Sequence, residues 1–516
     1  MKSTDFQTNT FIQRAIYGLL FIGFLLRIAV WLQQRSIFLD EANLLRNYAE
    51  RDYSGLFKDL DYQQYAPPLF SVAMKTLIQL FGNHELGAKL FPLFCGSMML
   101  WHFYRLSQSI LSPKAVFAAL FFMAFGKIFI DYSTEAKQYA TDGFVSIGLL
   151  YLSTFFETFP FNKKQILYWI LIGCVSIWLS MPSVFVLTGI GLLFLIKHFN
   201  FNTPLSNVCN KNKNWQMLKQ NILNKNIWNV LFMISSWLMS FLLYFFLLLK
   251  NNAQSDYLQT FHQQYFLAFF PTNLVQLQLL NTQIVGIFSN MLGWTFIANT
   301  LTFIGLSTGI YQLWKTRRDW FMKLVIPIIA VLTASATHFY SLIPRLTLFF
   351  LPILILIVFI GYDFIFTKIN KIVKVIFVIA FIATGYEYQC LSSFYKPFVN
   401  DTADLKNGLE YLSTEQVQGE PFFVPFNAAP VVKYYTEIYA KPMTFSETIL
   451  QTYRCCDADI VQQDLKKGHQ RGIKKIWVIH DDDAYQYLFD FVKQMNGHVL
   501  KQKKFHRGII LLYQIP

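Results

Sequence analysis

Three short segments carry residues whose types and spacing suit chemistry. The first is Phe38–Leu69, FLDEANLLRNYAERDYSGLFKDLDYQQYAPPL, where the adjacent acids Asp40-Glu41 stand as the chain leaves its first apolar stretch. Acids at a membrane boundary are costly unless they meet water or partners, so Asp40 is a functional candidate. The plainer reading is that Asp40 caps a helix starting at Ala42. The two roles are compatible, because a capping carboxylate keeps one free oxygen. The second segment runs from Asp131 to Asp142. Glu135, Tyr139 and Asp142 are spaced four and three apart, so a helix would stack them on one face with Lys137 pointing away. The plainer reading there is a salt bridge from Glu135 to Lys127, Lys137 or Arg345. The third is His338-Phe-Tyr340-Ser-Leu-Ile-Pro344-Arg345, whose guanidinium fork suits a phosphate; interfacial snorkelling is the equal alternative. His84-Glu85 is read with the same rim. There is no HExxH, nucleophile elbow, Walker loop or Cys/His ligand set. Acids, an Arg and Tyr on one side of a membrane body suit transfer of a group from a phosphate leaving group, with a carboxylate as general base for an acceptor hydroxyl.

The elements that must hold these segments follow from composition. The 516 residues are 54% hydrophobic, 18% aromatic and only 14% charged, against about 25% charged in soluble domains. Lipid is therefore the expected solvent. A span needs about 20 mostly apolar residues. Roughly eleven stretches qualify: 14–33, 86–107, 114–132, 141–157, 165–181, 183–199, 227–249, 289–314, 321–340, 346–366 and 372–391. The pair flanking Met181-Pro182 is also readable as one broken helix. The first stretch reads as a signal anchor without a cleavage site. Residues 34–85 form a long loop with amphipathic helices of its own. The net charge of +14 comes mostly from Lys and Arg in short loops, a topology signal rather than nucleic-acid affinity. Lys163, Lys164, Lys211, Lys213, Lys219, Lys225, Lys315, Arg317, Arg318, Lys368, Lys371 and Lys374 share one side. With that side cytoplasmic, the 34–85 loop, the 131–142 turn, the 250–288 loop and the tail are extracytoplasmic. Cys95 and Cys174 read as small core residues, and Cys455-Cys456 is too short-range for a metal site.

From about Ser392 the chain turns mixed and charged. Strand-like runs Phe422–Phe426, Lys475–His480 and Ile509–Tyr513 alternate with helical patterns near 402–414, 427–440, 458–467 and 483–495, which predicts a small α/β domain over 392–516. It has no phosphate-binding loop, and acceptor recognition or a structural role suits it. The fold class is thus mostly α: a polytopic membrane bundle over 1–391 with an extracytoplasmic α/β domain behind it.

The order of motifs resembles the family 39 glycosyltransferases of the GT-C superfamily, which include the aminoarabinose transferases of lipid A and the protein O-mannosyltransferases. An anchor span is followed by Leu39-Asp40-Glu41-Ala42 and Ala66-Pro67-Pro68-Leu69. Phe81-Gly82-Asn83-His84-Glu85 and Leu90-Phe91-Pro92 then lead into the second span. The Glu135–Tyr139 turn and Pro344-Arg345 fall where that family has an acidic motif and a late Arg. The match is good over 1–160, loose over 330–390, and absent from the tail. It implies a membrane enzyme taking sugar from a polyprenyl-phosphate donor to a lipid, glycan or protein acceptor at the outer face, with inversion. Asp40 is the implied base, and Glu41 and Glu135 complete the catalytic acids. Arg345, Lys137, Tyr139, Asp142, His338 and Tyr65 are the expected donor-phosphate and substrate contacts. A divalent metal, Mg or Mn, on Asp40 and Glu135 is an open option, and the expected location is a bacterial inner membrane. One departure matters: aminoarabinose transferases carry Glu-Lys where this chain has Tyr65-Ala66, which disfavours that specific activity and leaves Arg345 or Lys137 as the expected substitute for the phosphate grip. The rival class is a lipid or solute transporter without covalent chemistry; a polysaccharide polymerase or ligase ranks third.

Overall fold

A computed structural model describes residues 10–156, 162–198, 225–253, 256–268, 270–292, 296–386, 403–424, 428–445, 448–450, 474–480, 493 and 497–514. The chain is mostly helical, with a small mixed sheet near its C-terminus. The elements that matter for the site are α1 (Thr10–Leu32), α2 (Leu39–Glu50), α3 (Pro68–Phe81), α4 (Glu85–Ser107), α5 (Pro113–Phe125), α6 (Lys127–Asp131), α7 (Tyr139–Ser153), α8 (Lys163–Leu179) and α9 (Ser183–His198). Helices Lys225–Tyr244, Leu274–Leu292, Phe296–Thr316, Arg318–Ala336, Leu351–Lys368 and Lys371–Tyr386 follow.

Each of the eleven apolar stretches is helical over most of its described residues. By length and composition, four helices among the described residues can cross a membrane, or five if the bent pair around Gly126 is one span. The others are shorter or less apolar. Large apolar side chains such as Phe21, Leu171, Phe232, Met239 and Phe303 point outward and are exposed, which water would penalise and lipid does not. Two boundaries differ from expectation. The 289–314 stretch holds the end of helix Leu274–Leu292 and most of helix Phe296–Thr316, and the segment read as a loop before it contains most of the first of these, whose interspersed Gln residues hide its apolar face. Ser180, Met181 and Pro182 break α8 from α9.

The body has two distinct ends. At one, Arg317 Nη1 donates to Ile110 O at 2.8 Å, Asp363 accepts from Ser112 N and Oγ at 2.9 and 2.7 Å, and Lys197 pairs with Asp319. This is the end of the Lys- and Arg-bearing loops. The opposite end gathers the first loop, the 132–138 turn, the α8–α9 turn, the 337–344 segment and the tail.

The tail sheet runs in the order β2-β1-β3-β5-β4, from β1 (Phe422–Val424), β2 (Thr448–Leu450), β3 (Lys475–His480), β4 (His498–Phe505) and β5 (Gly508–Gln514). The β2-β1-β3 half is parallel and the β3-β5-β4 half antiparallel. β1 and the apolar stretches Ile476–Ile479 of β3 and Ile509–Tyr513 of β5 are buried and legible in sequence because both their faces are covered. The edge strand β4, HVLKQKKF, is nearly all exposed, and its charges conceal it while blunting the edge. Of the helical patterns expected here, those near 402–414 and 427–440 are helical over 405–415 and 429–438, whereas 458–467, Cys455-Cys456 and all of 483–495 but residue 493 lie outside the described residues.

First loop and tail are not separate bodies. Ile37, Leu44, Leu45, Tyr48, Phe70 and Met74 share one apolar core with Leu409, Phe422, Val431, Tyr434, Tyr435 and Trp477. Polar bonds lock the seam: Tyr435 Oη donates to Glu85 Oε1 at 3.0 Å, Lys406 Nζ pairs with the same oxygen at 2.9 Å, and Tyr434 Oη donates to Asn83 Oδ1 at 3.2 Å. Glu85 is therefore fully buried at the tail junction and is not a rim residue. His84 instead caps α4, its Nδ1 accepting from Gly87 N at 3.1 Å.

Candidate active site

The helix that carries the acid pair begins at Leu39, three residues before the expected start at Ala42, so Asp40 sits inside its first turn and does not cap it. Glu41 does that work. Its Oε2 accepts from Phe38 N at 2.9 Å, the return half of a capping box, and its Oε1 accepts from Ala136 N at 2.6 Å. The buried Glu41 thus welds the start of α2 to the 132–138 turn, leaving Asp40 directed into the space between them.

The 132–138 turn has to lie close against α4, and Gly96 permits it: a Cβ there would fall 1.9 Å from Ser133 Oγ. Glu135 is in extended backbone (φ −106°, ψ 140°) and α7 starts only at Tyr139. The expected stripe of Glu135, Tyr139 and Asp142 on one helix face is therefore corrected. Lys137, Tyr139 and Asp142 line a common cavity, and Glu135 does not. Helical spacing misled here because the helix does not extend back through the turn.

That cavity has a volume of about 1700 Å³. Its charged wall is compact. Arg345 Nη1 donates to Asp40 Oδ2 at 2.9 Å, with the side chains 27% and 24% exposed, so both remain reachable from the cavity. Lys137 Nζ donates to Gln64 Oε1 at 2.6 Å, and Gln64 in turn bonds Asp40. Burial pushes the Asp40 carboxyl up, but Lys137, Arg345 and the hydrogen bonds from Gln64 and Arg345 more than offset it. Asp40 titrates below the usual carboxylate range and is an anion at neutral pH. Burial draws Lys137 down, with Asp40 the largest opposing influence.

The deeper wall is built by Tyr65, whose hydroxyl meets that of Tyr244, and by Asp142, whose Oδ1 accepts from Ser180 Oγ at 2.7 Å. His338, with φ +63°, stacks on Phe266 at 4.8 Å. Tyr340 Oη donates to Leu346 O at 2.9 Å, fixing the approach to Arg345. Phe185, Met181, Phe241, Phe245 and Leu249 extend the cavity along the helices as an apolar channel.

Of the nine residues expected from sequence, Asp40, Tyr65, Lys137, Tyr139, Asp142, His338 and Arg345 converge on the cavity, while Glu41 and Glu135 lie outside its wall. Gln64 and His262 also line the cavity. Gln64 lies in the Tyr/Gln-rich turn before the Pro pair, a signal that was available; His262 is a lone His in a polar segment, which gives none.

Behind the wall, Glu135 lies near Glu41 and Asp131. Asp131 pairs with Arg35 at 3.0 Å and with Lys127, and Lys89 Nζ donates to Arg35 O at 2.8 Å. Burial, then Glu41 and Asp131, push Glu135 up to about 8. A carboxyl raised in the fold above its unfolded value of about 4.3 binds more protons folded than unfolded between those limits, so stability falls as pH rises through that window. The melting temperature of the wild type, minus that of Glu135→Gln, should therefore fall between pH 5 and 8; a flat difference would show Glu135 ionised in the fold.

Among the described residues no three His, Cys, Asp or Glu side chains gather to hold a metal ion. Asp40 is instead answered by two cations, and Glu135 does not face the same space. Among the described residues, Asp40 and Glu135 do not fit a shared divalent ion.

No protein-family model and no curated protein matches the sequence. Among solved structures the chain is similar to ArnT from Cupriavidus metallidurans bound to undecaprenyl phosphate, with a TM-score of 0.48 and 11% identity over 98% of each chain. It is also similar to the oligosaccharyltransferase of Archaeoglobus fulgidus tethered with an acceptor peptide, with a TM-score of 0.48 and 13% identity over 93% of this chain and 70% of that one. The same archaeal enzyme in complex with Zn and sulfate gives 0.42 and 12% over 89% and 67%.

Proposed function

We propose that this protein is a membrane glycosyltransferase that moves a sugar from a polyprenyl-phosphate donor to an acceptor hydroxyl or phosphate at the extracytoplasmic face of a bacterial inner membrane. The observation that carries the reading is the sharing of one cavity by a carboxylate, two cations and an apolar channel: Asp40, Lys137 and Arg345 beside Met181, Phe185 and Phe245. A polyprenyl chain suits the channel, and a phosphate suits the forked and point-charge donors of Arg345 and Lys137. The motif order around Asp40 supports the same reading.

In this scheme Asp40 accepts the proton of the acceptor hydroxyl as its oxygen attacks the anomeric carbon. The bond from that carbon to the donor phosphate breaks on the opposite face, and configuration inverts. Polyprenyl phosphate leaves with the electron pair, its charge held by Arg345 and Lys137. General-base help of this kind contributes about 10²–10⁴-fold, and placing charge donors where phosphate charge develops adds to it.

Mass spectrometry of lipids, glycans and proteins from cells with and without the gene should reveal a hexose- or pentose-sized mass on one acceptor class. Purified protein given polyprenyl-phosphate sugar and that acceptor should release polyprenyl phosphate. Solute flux across vesicles with no covalent product would overturn the proposal in favour of a transporter.

A further inference from the structure

Resting on the reading above, the two jobs given to the cavity's charges conflict in the empty protein. The cation meant for the donor phosphate is bonded to the carboxylate meant for the acceptor proton, Arg345 Nη1 to Asp40 Oδ2 at 2.9 Å. A carboxylate oxygen already accepting a guanidinium N–H is poorly placed and weakly disposed to take another proton. We propose that the Arg345–Asp40 bond is a latch opened by the donor: the lipid phosphate takes over the guanidinium donors, and this exchange releases Asp40 towards the acceptor.

Three features make the exchange feasible. Both side chains are about a quarter exposed and line the cavity, so an anion can reach the bond without unfolding anything. Arg345 stands on the single turn Pro344–Thr347, between the non-helical Ser341–Ile343 and the helix from Leu351, and its long side chain can swing while the helices stay fixed. Asp40 is not abandoned when Arg345 leaves, because Gln64 still bonds it and Lys137 still holds Gln64. The consequence is an order of events. Without donor, Asp40 Oδ2 is held by Arg345; with donor phosphate seated, that oxygen becomes available beside the sugar it must serve.

The test is equilibrium binding of undecaprenyl phosphate to the full-length protein in lipid nanodiscs. Removing the competitor for Arg345 should tighten binding, so Asp40→Asn is expected to bind up to about fivefold more tightly than wild type. Asp52→Asn, which removes a negative charge just beyond the same helix and whose partners Ser54 and Gly55 also lie outside the cavity lining, should bind as wild type does. In an Arg345→Gln background the Asp40→Asn effect should vanish. Equal or weaker binding by Asp40→Asn, equal tightening by Asp52→Asn, or tightening that persists without Arg345 would each overturn the latch while leaving lipid-phosphate binding intact. Failure of wild type and all variants to bind would instead remove the donor reading itself, and the latch with it.

Discussion

Replacing Asp40 by Asn is expected to reduce sugar transfer by about 10²–10⁴-fold while the protein still inserts and folds. Asn keeps the shape of the side chain but cannot accept the acceptor proton at neutral pH. The fold should tolerate the change for reasons visible in the structure. The helix start is capped by Glu41, not by Asp40, so no cap is lost. The bond given up, to Arg345, joins two partly exposed groups, and such pairs contribute only about 0–1 kcal/mol. The checks are turnover of polyprenyl-phosphate sugar by purified protein and a melting curve in the same detergent. Transfer at the wild-type rate would remove Asp40 as the base. Loss of transfer with an unfolded protein would instead assign Asp40 a structural role.

Replacing Glu85 by Ala is expected to have the largest effect on stability, about 3 kcal/mol or more. Glu85 is fully buried, and its Oε1 takes both Lys406 Nζ and Tyr435 Oη from the tail. Ala would leave the ammonium and the hydroxyl facing an apolar seam without their acceptor. Loosening should spread, because the same seam joins the first-loop residues Leu44, Leu45 and Tyr48 to Tyr434 and Tyr435 of the tail. The Asp40-bearing helix α2 packs against helix Ala429–Lys433, so transfer activity should fall together with stability. Thermal unfolding and proteolysis in detergent measure the first effect, and transfer assays the second. An unchanged melting temperature would mean that the tail is held by its apolar core alone.

Much of this molecule is written in local pattern. The eleven apolar stretches become helices because their backbone bonds close within each segment, whatever surrounds them. The start of α3 at Pro68 is legible because proline needs no donor at a helix's first turn. The convergence of Asp40, Lys137 and Arg345 was only partly legible: each stood out by type and position, but their contact spans 97 and 208 residues of chain. Two departures from the sequence pattern have the same origin. Glu135 precedes by four residues the helix its spacing suggests, and Glu85 is buried rather than at the rim because its partners, Lys406 and Tyr435, lie more than 300 residues away in the chain.

The sequence by itself determined that the chain is helical and apolar, that acids and an Arg stand at span ends, and that an α/β tail follows. These depend on composition and short-range periodicity. Only the tertiary structure decided what each charge does. Glu41 and Asp40 are neighbours of the same type in the same turn, yet Glu41 is consumed by backbone N–H groups from two segments while Asp40 faces the cavity and Arg345. That division depends on which groups the packed helices bring within bonding distance, because burial makes an unanswered charge costly and the partner that answers it lies far away in the chain.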